Sequence, residues 1–486
     1  MSTMVSAPAG WEMVVGLEVH VQLRTRTKAF CNCSAEYGAA PNANTCPVCL
    51  ALPGALPVLN AHAVELATRA ALALGCTVNP TSVFARKNYF YPDLPKGYQI
   101  SQFDKPLAEH GRLKIGTNAE GVGVTVGITR VHMEEDAGKS VHDRYAGATA
   151  IDLNRAGVPL IEIVSEPDMR SPEAAGAYLR TLKQILQYVG VSDCDMEKGS
   201  LRVDANVSAR RSGEVKLGTK TEVKNLNSFS NVERALALEF ARQTELLERG
   251  GRVEQQTMLF DQVRGVVRPS RTKEGSHDYR YFPEPDLPPL VLDAGFIERM
   301  RASLPELPEA RRTRFAEEYA LGGYDVEVLT SSAELADYFE GVARQSGDAK
   351  AAANWTINGV LAALNASDAT LETFRVRPAD LAALIKLVRD GVVGHSAAKQ
   401  VFAEMVKTGD RPEQVAQREG LVRVDDDSAL HAWIDEVLAE HPTEAQRYLA
   451  GEKKLQGVLV GFVMKKSKGS ADAKKVNQLL ASRAQG

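Results

Sequence analysis

Apolar and polar positions alternate strictly near the start of the chain. From Gly16 to Leu23, Leu17, Val19, Val21 and Leu23 fall on one side, with Glu18, His20 and Gln22 on the other. Leu201 to Arg210 repeats the pattern, with Leu201, Val203, Ala205, Val207 and Ala209 opposing Arg202, Asp204, Asn206, Ser208 and Arg210. Strands of this kind lie on a sheet with one buried face and one polar face, the habit of antiparallel sheets. Helical signals interrupt them. Ser171-Pro-Glu-Ala places a cap and a first-turn proline before an apolar-periodic stretch that stops at Gly190. Ser230-Asn-Val-Glu233 reads as a capping box for a helix running toward Gly250-Gly251. A proline cluster from Pro283 to Pro308 predicts an extended junction. Beyond it strand signals fade, and Ala379–Val388 and Ser428–Leu438 carry apolar residues at spacings of three and four. The pattern predicts an α+β region with a mainly antiparallel sheet over residues 1–294. An all-α domain over 295–410 and a small helical tail over 411–486 follow it, the two dividing near Asp410.

Composition narrows the function classes. The 486 residues hold 58 basic and 62 acidic side chains, a net charge of −4, so any polyanion site must be a local patch. No apolar run approaches the ~20 residues that span a bilayer. Met1 to Gly10 lacks the basic flank and apolar stretch of a secretion signal. These features predict a cytoplasmic, multidomain protein.

Four of the six cysteines crowd into Cys31-Asn-Cys33 and Cys46-Pro-Val-Cys49. Two close pairs can present four thiolates to one tetrahedral Zn²⁺, and the polar loop between them has too little apolar material to order itself. Reduced unliganded thiols, or a redox pair at Cys46 and Cys49, are the competing readings. With all four positions filled by thiolate, a zinc ion here would be structural.

Glu18 and His20 sit two apart on one strand and so point the same way. Met133-Glu-Glu-Asp-Ala-Gly138 is an acidic burst after strand-like Gly127–His132, and Glu162 is the single charge within Pro159–Val164. A buried carboxylate is costly unless paired or bound to a metal. Each alone reads as an ion pair; together they offer hard oxygens and an imidazole suited to Mg²⁺. Around them lie the basic, aromatic stretch Arg86–Gln99, the alternating Lys220, Glu222 and Lys224, and Asp278–Asp286. Mixed acidic and basic groups suit a site holding Mg²⁺ and a polyphosphate, or simply solvated ion pairs.

Ala137-Gly-Lys-Ser140 resembles the end of a P-loop, but Met133 stands where the loop needs a glycine, so that reading fails. No nucleophile elbow or Ser-rich amidase stretch appears, so the chain lacks the means to hydrolyse glutamine itself. Residues 451–486 carry seven lysines and Arg483 against two acids, a local charge of +6. Lys453, Lys454, Lys465, Lys466 and Lys468 flank an apolar helix candidate there, which serves either as a grip on RNA phosphates or as a solubilising face.

Several long strings resemble one family. They are Gly16-Leu-Glu-Val-His-Val, Arg86-Lys-Asn-Tyr-Phe-Tyr-Pro-Asp, Tyr98-Gln-Ile-Ser-Gln-Phe-Asp104 and His132-Met-Glu-Glu-Asp-Ala-Gly-Lys-Ser140. Pro159–Asp168, Lys224-Asn-Leu-Asn-Ser-Phe229, Asp278–Asp286 and Gly457–Gly469 add to them. The chain resembles, essentially end to end, the B subunit of the bacterial tRNA-dependent amidotransferase. The resemblance implies a glutamine-synthetase-like cradle domain, a helical domain and a tRNA-binding tail. It implies a carbon–nitrogen ligase with glutamine as amide donor, working in a heterotrimer with an amidase A subunit and a small C subunit. Such an enzyme uses ATP and Mg²⁺ to phosphorylate the side-chain carboxylate of mischarged Glu-tRNA(Gln) or Asp-tRNA(Asn), and ammonia then displaces phosphate. Carried over by motif, His20, Glu135 and Glu162 are the Mg²⁺ ligands, with Glu18 beside them as a catalytic residue. Lys87, Arg202, Asp204, Asn206, Lys220, Glu222 and Lys224 are the ATP- or substrate-binding candidates, and Cys31, Cys33, Cys46 and Cys49 the zinc ligands. The alternatives are a carboxylate–amine ligase acting on a free small acid, or a non-catalytic tRNA-binding scaffold.

Overall fold

The two alternating segments become neighbouring strands at the centre of one large sheet. In a computed structural model that describes residues 10–117, 123–145, 147–270, 279–367, 369–423, 426–467 and 469–484, the chain divides into units Met1–Leu307 and Pro308–Gly486. The first unit opens with β1 (Trp11–Gln22), α1 (Ala61–Ala73), β2 (Thr77–Val78), β3 (Thr81–Ser82), β4 (Ala85–Asn88) and β5 (Tyr98–Ser101). It continues with β6 (Ala108–Thr117), β7 (Gly123–Glu135), β8 (Lys139–Tyr145), β9 (Ala148–Asp152), β10 (Pro159–Ser165) and α2 (Pro172–Tyr188). Then come β11 (Leu201–Arg211), β12 (Thr221–Leu226), α3 (Phe229–Glu248), β13 (Thr257–Asp261), β14 (Val266–Pro269), β15 (Phe282–Pro283), β16 (Leu290–Val291) and α4 (Ala294–Ala302).

Nine of these strands form the sheet, in the order β14-β13-β12-β11-β1-β10-β7-β6-β2. Among the described residues its pairs are antiparallel except β12 with β13. Leu17, Val19 and Val21 of β1 and Val203, Ala205 and Val207 of β11 are buried in one core with Tyr178, Leu182 and Leu186 of α2 and Leu236 and Phe240 of α3. Burying one such side chain contributes roughly 1.5–3 kcal/mol. A register slip of one residue would turn Glu18 and His20 into that core, so the apolar set fixes the face on which the polar set stands. Ser171 caps α2 as the sequence predicts, accepting from the Ala174 amide. For α3 the cap is Ser228, which accepts from the Asn231 amide at 3.1 Å. Ser230 is already helical, so the capping box read there lies two residues late.

The proline cluster is not a free junction. Phe282-Pro283 pairs with β4 and Leu290-Val291 with β3, and Glu284 takes a two-pronged bond from Arg86 with both contacts at 2.8 Å. Phe296, Ile297 and Met300 of α4 pack against the core of the first unit, which therefore runs on past residue 294 to Leu307.

The second unit is helical. Its predicted segments appear as Pro378–Arg389 and Asp427–Glu440, and its apolar residues form two clusters. One gathers Phe315, Phe339, Leu381, Val401, Val415 and Leu421, and the other Leu430, Ile434, Leu459, Val463 and Leu480. The clusters part between Leu421 and Leu430, beyond the Asp410 read from the sequence, because the short helix Pro412–Arg418 still packs into the first. No helix among the described residues is long and apolar enough to cross a membrane.

Candidate active site on the polar sheet face

Pairing register builds the site. His20 of β1 stands opposite Glu162 of β10, and Glu162 opposite His132 of β7. Side chains of directly opposed residues share a face, and so do residues two apart on a strand. Glu18, His20, His132, Glu134 and Glu162 therefore converge. The His20 Nε2 lies 3.2 Å from Glu162 Oε2, and His132 Nε2 lies 3.5 Å from the same oxygen and 3.3 Å from Glu134 Oε1. Donor atoms of His20, Glu134 and Glu162 all lie within 4.8 Å of one another, a spacing that could hold one cation.

Glu135 is not part of this group. It follows Glu134 on β7 and so points through the opposite face, where it accepts from the Ile100 amide at 2.9 Å and pairs with Lys96. The carboxylate at the cluster is Glu134, held by Ser101 Oγ at 2.6 Å and Gln99 Nε2 at 3.1 Å. The sequence reading missed His132 and Glu134 because it ended the strand at His132 and took the acids after it as a separate acidic burst, whereas the strand runs to Glu135. Continued two residues, the alternation Arg130, His132, Glu134 would have found both.

Burial and close partners shift the ionisation of this corner. Burial, reinforced by Glu162 and Glu222, raises the carboxyl pKa of Glu18, which accepts a hydrogen bond from Asn206 Nδ2 at 3.0 Å. Burial would lower His132, but Glu162 and Glu134 outweigh it and lift the imidazole to about 9. Burial opposes ionisation of Glu162 too, yet His132 and His20 hold it well below the usual carboxylate range. The donor set of one imidazole and two hard oxygens, from His20, Glu134 and Glu162, fits a divalent cation.

The group lines a cavity of about 1250 Å³. Every nucleotide or substrate candidate named from the sequence lines it: Lys87, Arg202, Asp204, Asn206, Lys220, Glu222 and Lys224. Burial would depress Lys87, but Glu134 and Tyr281 keep it charged, and its Nζ sits 5.0 Å from the Tyr279 ring centroid. Lys224 Nζ bridges Asp204 at 3.1 Å and Glu222 at 3.2 Å, and Arg202 bonds Asp136 at 2.9 Å. Tyr89, Tyr91, Phe103 and Tyr281, which the sequence reading left without individual roles, complete the wall.

The four cysteines gather as a second group, their sulfurs also within 4.8 Å of one another. Cys31 hydrogen-bonds Cys49 and lowers the pKa of the Cys49 thiol. The loop between the pairs is docked by the fully buried Lys28, whose Nζ donates to Asn44 O at 2.7 Å and Leu153 O at 3.2 Å. In the tail, Lys453, Lys454 and Lys465 are exposed. Lys466 is not free for a polyanion, because Glu436 at 2.7 Å and Glu440 at 2.6 Å engage it. Lys468 lies outside the described residues.

The sheet and its cavity belong to the first unit, and a helical unit follows in the chain. Residues 13–298 match the GatB/GatE catalytic domain, and residues 337–483 match the GatB domain. The aspartyl/glutamyl-tRNA(Asn/Gln) amidotransferase B subunit of Carboxydothermus hydrogenoformans is 52% identical over 473 residues, covering 97% of this chain and 98% of the relative. Its counterpart from Moorella thermoacetica is 53% identical over 475 residues, covering 97% and 99%. That from Chlorobium chlorochromatii is 51% identical over 476 residues, covering 98% and 100%. The chain belongs to the family of these amidotransferase B subunits.

Proposed function

We propose that this chain is the carboxylate-activating and amidating component of a tRNA-dependent amidotransferase, converting Glu-tRNA(Gln) or Asp-tRNA(Asn) to Gln-tRNA(Gln) or Asn-tRNA(Asn). A free carboxylate resists ammonia because its leaving group would be oxide; phosphorylation by ATP replaces that with phosphate. His20, Glu134 and Glu162 would hold Mg²⁺, which when bound offsets charge on the transferred phosphoryl group. Lys87 and Lys220 face the same cavity and would hold phosphate oxygens, and Arg202 and Lys224, fixed by their acidic partners, would orient the acyl end. Glu18, held protonated more readily than an ordinary carboxyl, is placed to exchange a proton with the incoming amine. The observation that carries this reading is the convergence of His20, Glu134 and Glu162 on the wall of a cation-lined cavity in a chain matched end to end by amidotransferase B subunits.

The first unit then corresponds to a cradle domain like that of glutamine synthetase, followed by a helical domain and a tRNA-binding tail with Lys453, Lys454 and Lys465 as its exposed cations. The cysteine quartet would hold a structural Zn²⁺, since four thiolates leave no open position. An amidase A subunit and a small C subunit complete a cytoplasmic heterotrimer, the A subunit releasing ammonia from glutamine. The test is amidation of both mischarged tRNAs by the reconstituted complex, with ATP and ammonium chloride in place of glutamine. Amide formation without ATP would overturn the reading, and so would glutamine hydrolysis by this chain alone.

A further inference from the structure

The cavity rim carries aromatic surface that the activation chemistry does not use. Phe103 is 55% exposed, although one face of its ring is stacked on Tyr281 at 4.2 Å and 8°. Tyr281 meets Tyr279 edge-on at 5.9 Å, and Tyr279 meets Tyr89 at 6.1 Å, so the rings form one run along the cavity wall. Tyr91, 53% exposed, joins through Tyr89 at 6.0 Å. Leaving a large ring in water forgoes the burial it would gain in a core, and rimmed apolar patches of this kind mark ligand surfaces. Lys87 lies against Tyr279 within the run.

Chemistry identifies the occupant. In the reaction proposed above, the carboxylate to be phosphorylated must reach the ion cluster while still esterified to the terminal ribose of tRNA. Only the carbons of one amino acid separate that ribose from the reacting centre, so the last nucleoside must sit at the cavity mouth. Unpaired nucleic-acid ends are held by stacking bases on aromatic rings beside cationic groups. We propose that the open face of Phe103, backed by Tyr281, stacks the terminal base of the aminoacyl-tRNA and so sets the position of the attached carboxylate. Phe103 is thereby a positioning residue, acting through the substrate's end rather than on the reacting atoms. The proposal rests on the amidotransferase reading.

The test uses the reconstituted heterotrimer with ATP, ammonium chloride and a mischarged tRNA whose terminal adenine is replaced by 2-aminopurine. Phe103→Leu keeps apolar bulk and removes the π-face; Phe103→Trp restores it. The expected result for Phe103→Leu is a KM for aminoacyl-tRNA raised about ten-fold, the scale of one lost base–aromatic stack. KM for ATP should be unchanged and the stacking-induced quenching of 2-aminopurine lost, with Phe103→Trp recovering both the affinity and the quench. Unchanged KM and quenching in Phe103→Leu would overturn the proposal. A rise in KM for ATP alone would also overturn it, by assigning the platform to the nucleotide's base. If the unaltered complex makes no amide, the amidotransferase reading itself fails and the proposal falls with it; an active complex indifferent to Phe103→Leu refutes the stacking alone.

Discussion

Adjacent acids on β7 give a sharp test of the ion site, because one faces the cluster and the other faces away. Glu134→Gln keeps the side chain's shape and its bond to Ser101 but removes one unit of charge from a donor set spanning 4.8 Å. At an effective dielectric of about 20, two unit charges 4 Å apart interact by about 4 kcal/mol. Part of that is recovered when the amide oxygen or a water takes the vacated position, leaving a net loss of about 2–3 kcal/mol. The Mg²⁺ concentration giving half-maximal amidation should therefore rise about 30- to 150-fold. Glu135→Gln, on the other face, should leave that concentration within about two-fold while lowering thermal stability, since the half-buried Lys96 loses its carboxylate. The assay is ammonium-dependent amidation by the reconstituted complex across a Mg²⁺ titration, with unfolding followed in parallel. A raised Mg²⁺ requirement in Glu135→Gln with none in Glu134→Gln would refute the side-chain parity on which the site is built.

Three further outcomes follow from other parts of the molecule. Cys46→Ser should abolish stoichiometric zinc measured by mass spectrometry of the purified chain and expose residues 31–58 to protease, because the polar loop has no core of its own; full zinc content in the variant would remove the ion from this cluster. In the helical unit, Glu340 accepts from Arg311 at 2.5 Å and from Arg314 at 2.8 Å. Burial would raise its pKa, but those bonds hold it at about 2. A lowered folded-state pKa stabilises above the unfolded value of 4.5 and is lost as pH falls toward 2, so Glu340→Gln should cost this unit about 2 kcal/mol at neutral pH and flatten its acid unfolding in calorimetry. Replacing Lys453, Lys454 and Lys465 together by Ala should lower the slope of log affinity for tRNA against log salt by up to about 3, while Lys466→Ala, which breaks internal ion pairs, should leave the slope unchanged.

How far the sequence could be read follows from what each feature depends on. β1 and β11 were legible because alternation over eight or more residues has one structural meaning and the apolar face is invariant under small shifts in strand ends. The cysteine quartet was legible because its ligands are close in sequence. Strand order was not, since nothing local in Gly16–Leu23 says that β10 and β11 lie on either side of it. The motif resemblance brought His20 together with Glu162, but it assigned Glu135 to the ion rather than Glu134, its neighbour in the same matched string. Parity decides between the two, and parity requires knowing that β7 continues through Glu135. The proline-rich stretch is extended, as read, but its pairing was hidden for a related reason: proline forbids donation to a ladder yet allows pairing at a strand's outer edge, so Phe282-Pro283 could close onto β4.

The same parity explains why the site needs so long a sheet. Glu134 and Glu135 share one backbone yet serve opposite faces, one bonded to Ser101 and Gln99, the other to Lys96 and the Ile100 amide. All four partners come from the segment 96–101, so β5 is clasped to β7 by two successive carboxylates. That clasp positions Gln99 within the cavity wall and carries Phe103 to its rim. A change that loosens β5 should therefore disturb ion binding and substrate-end positioning together.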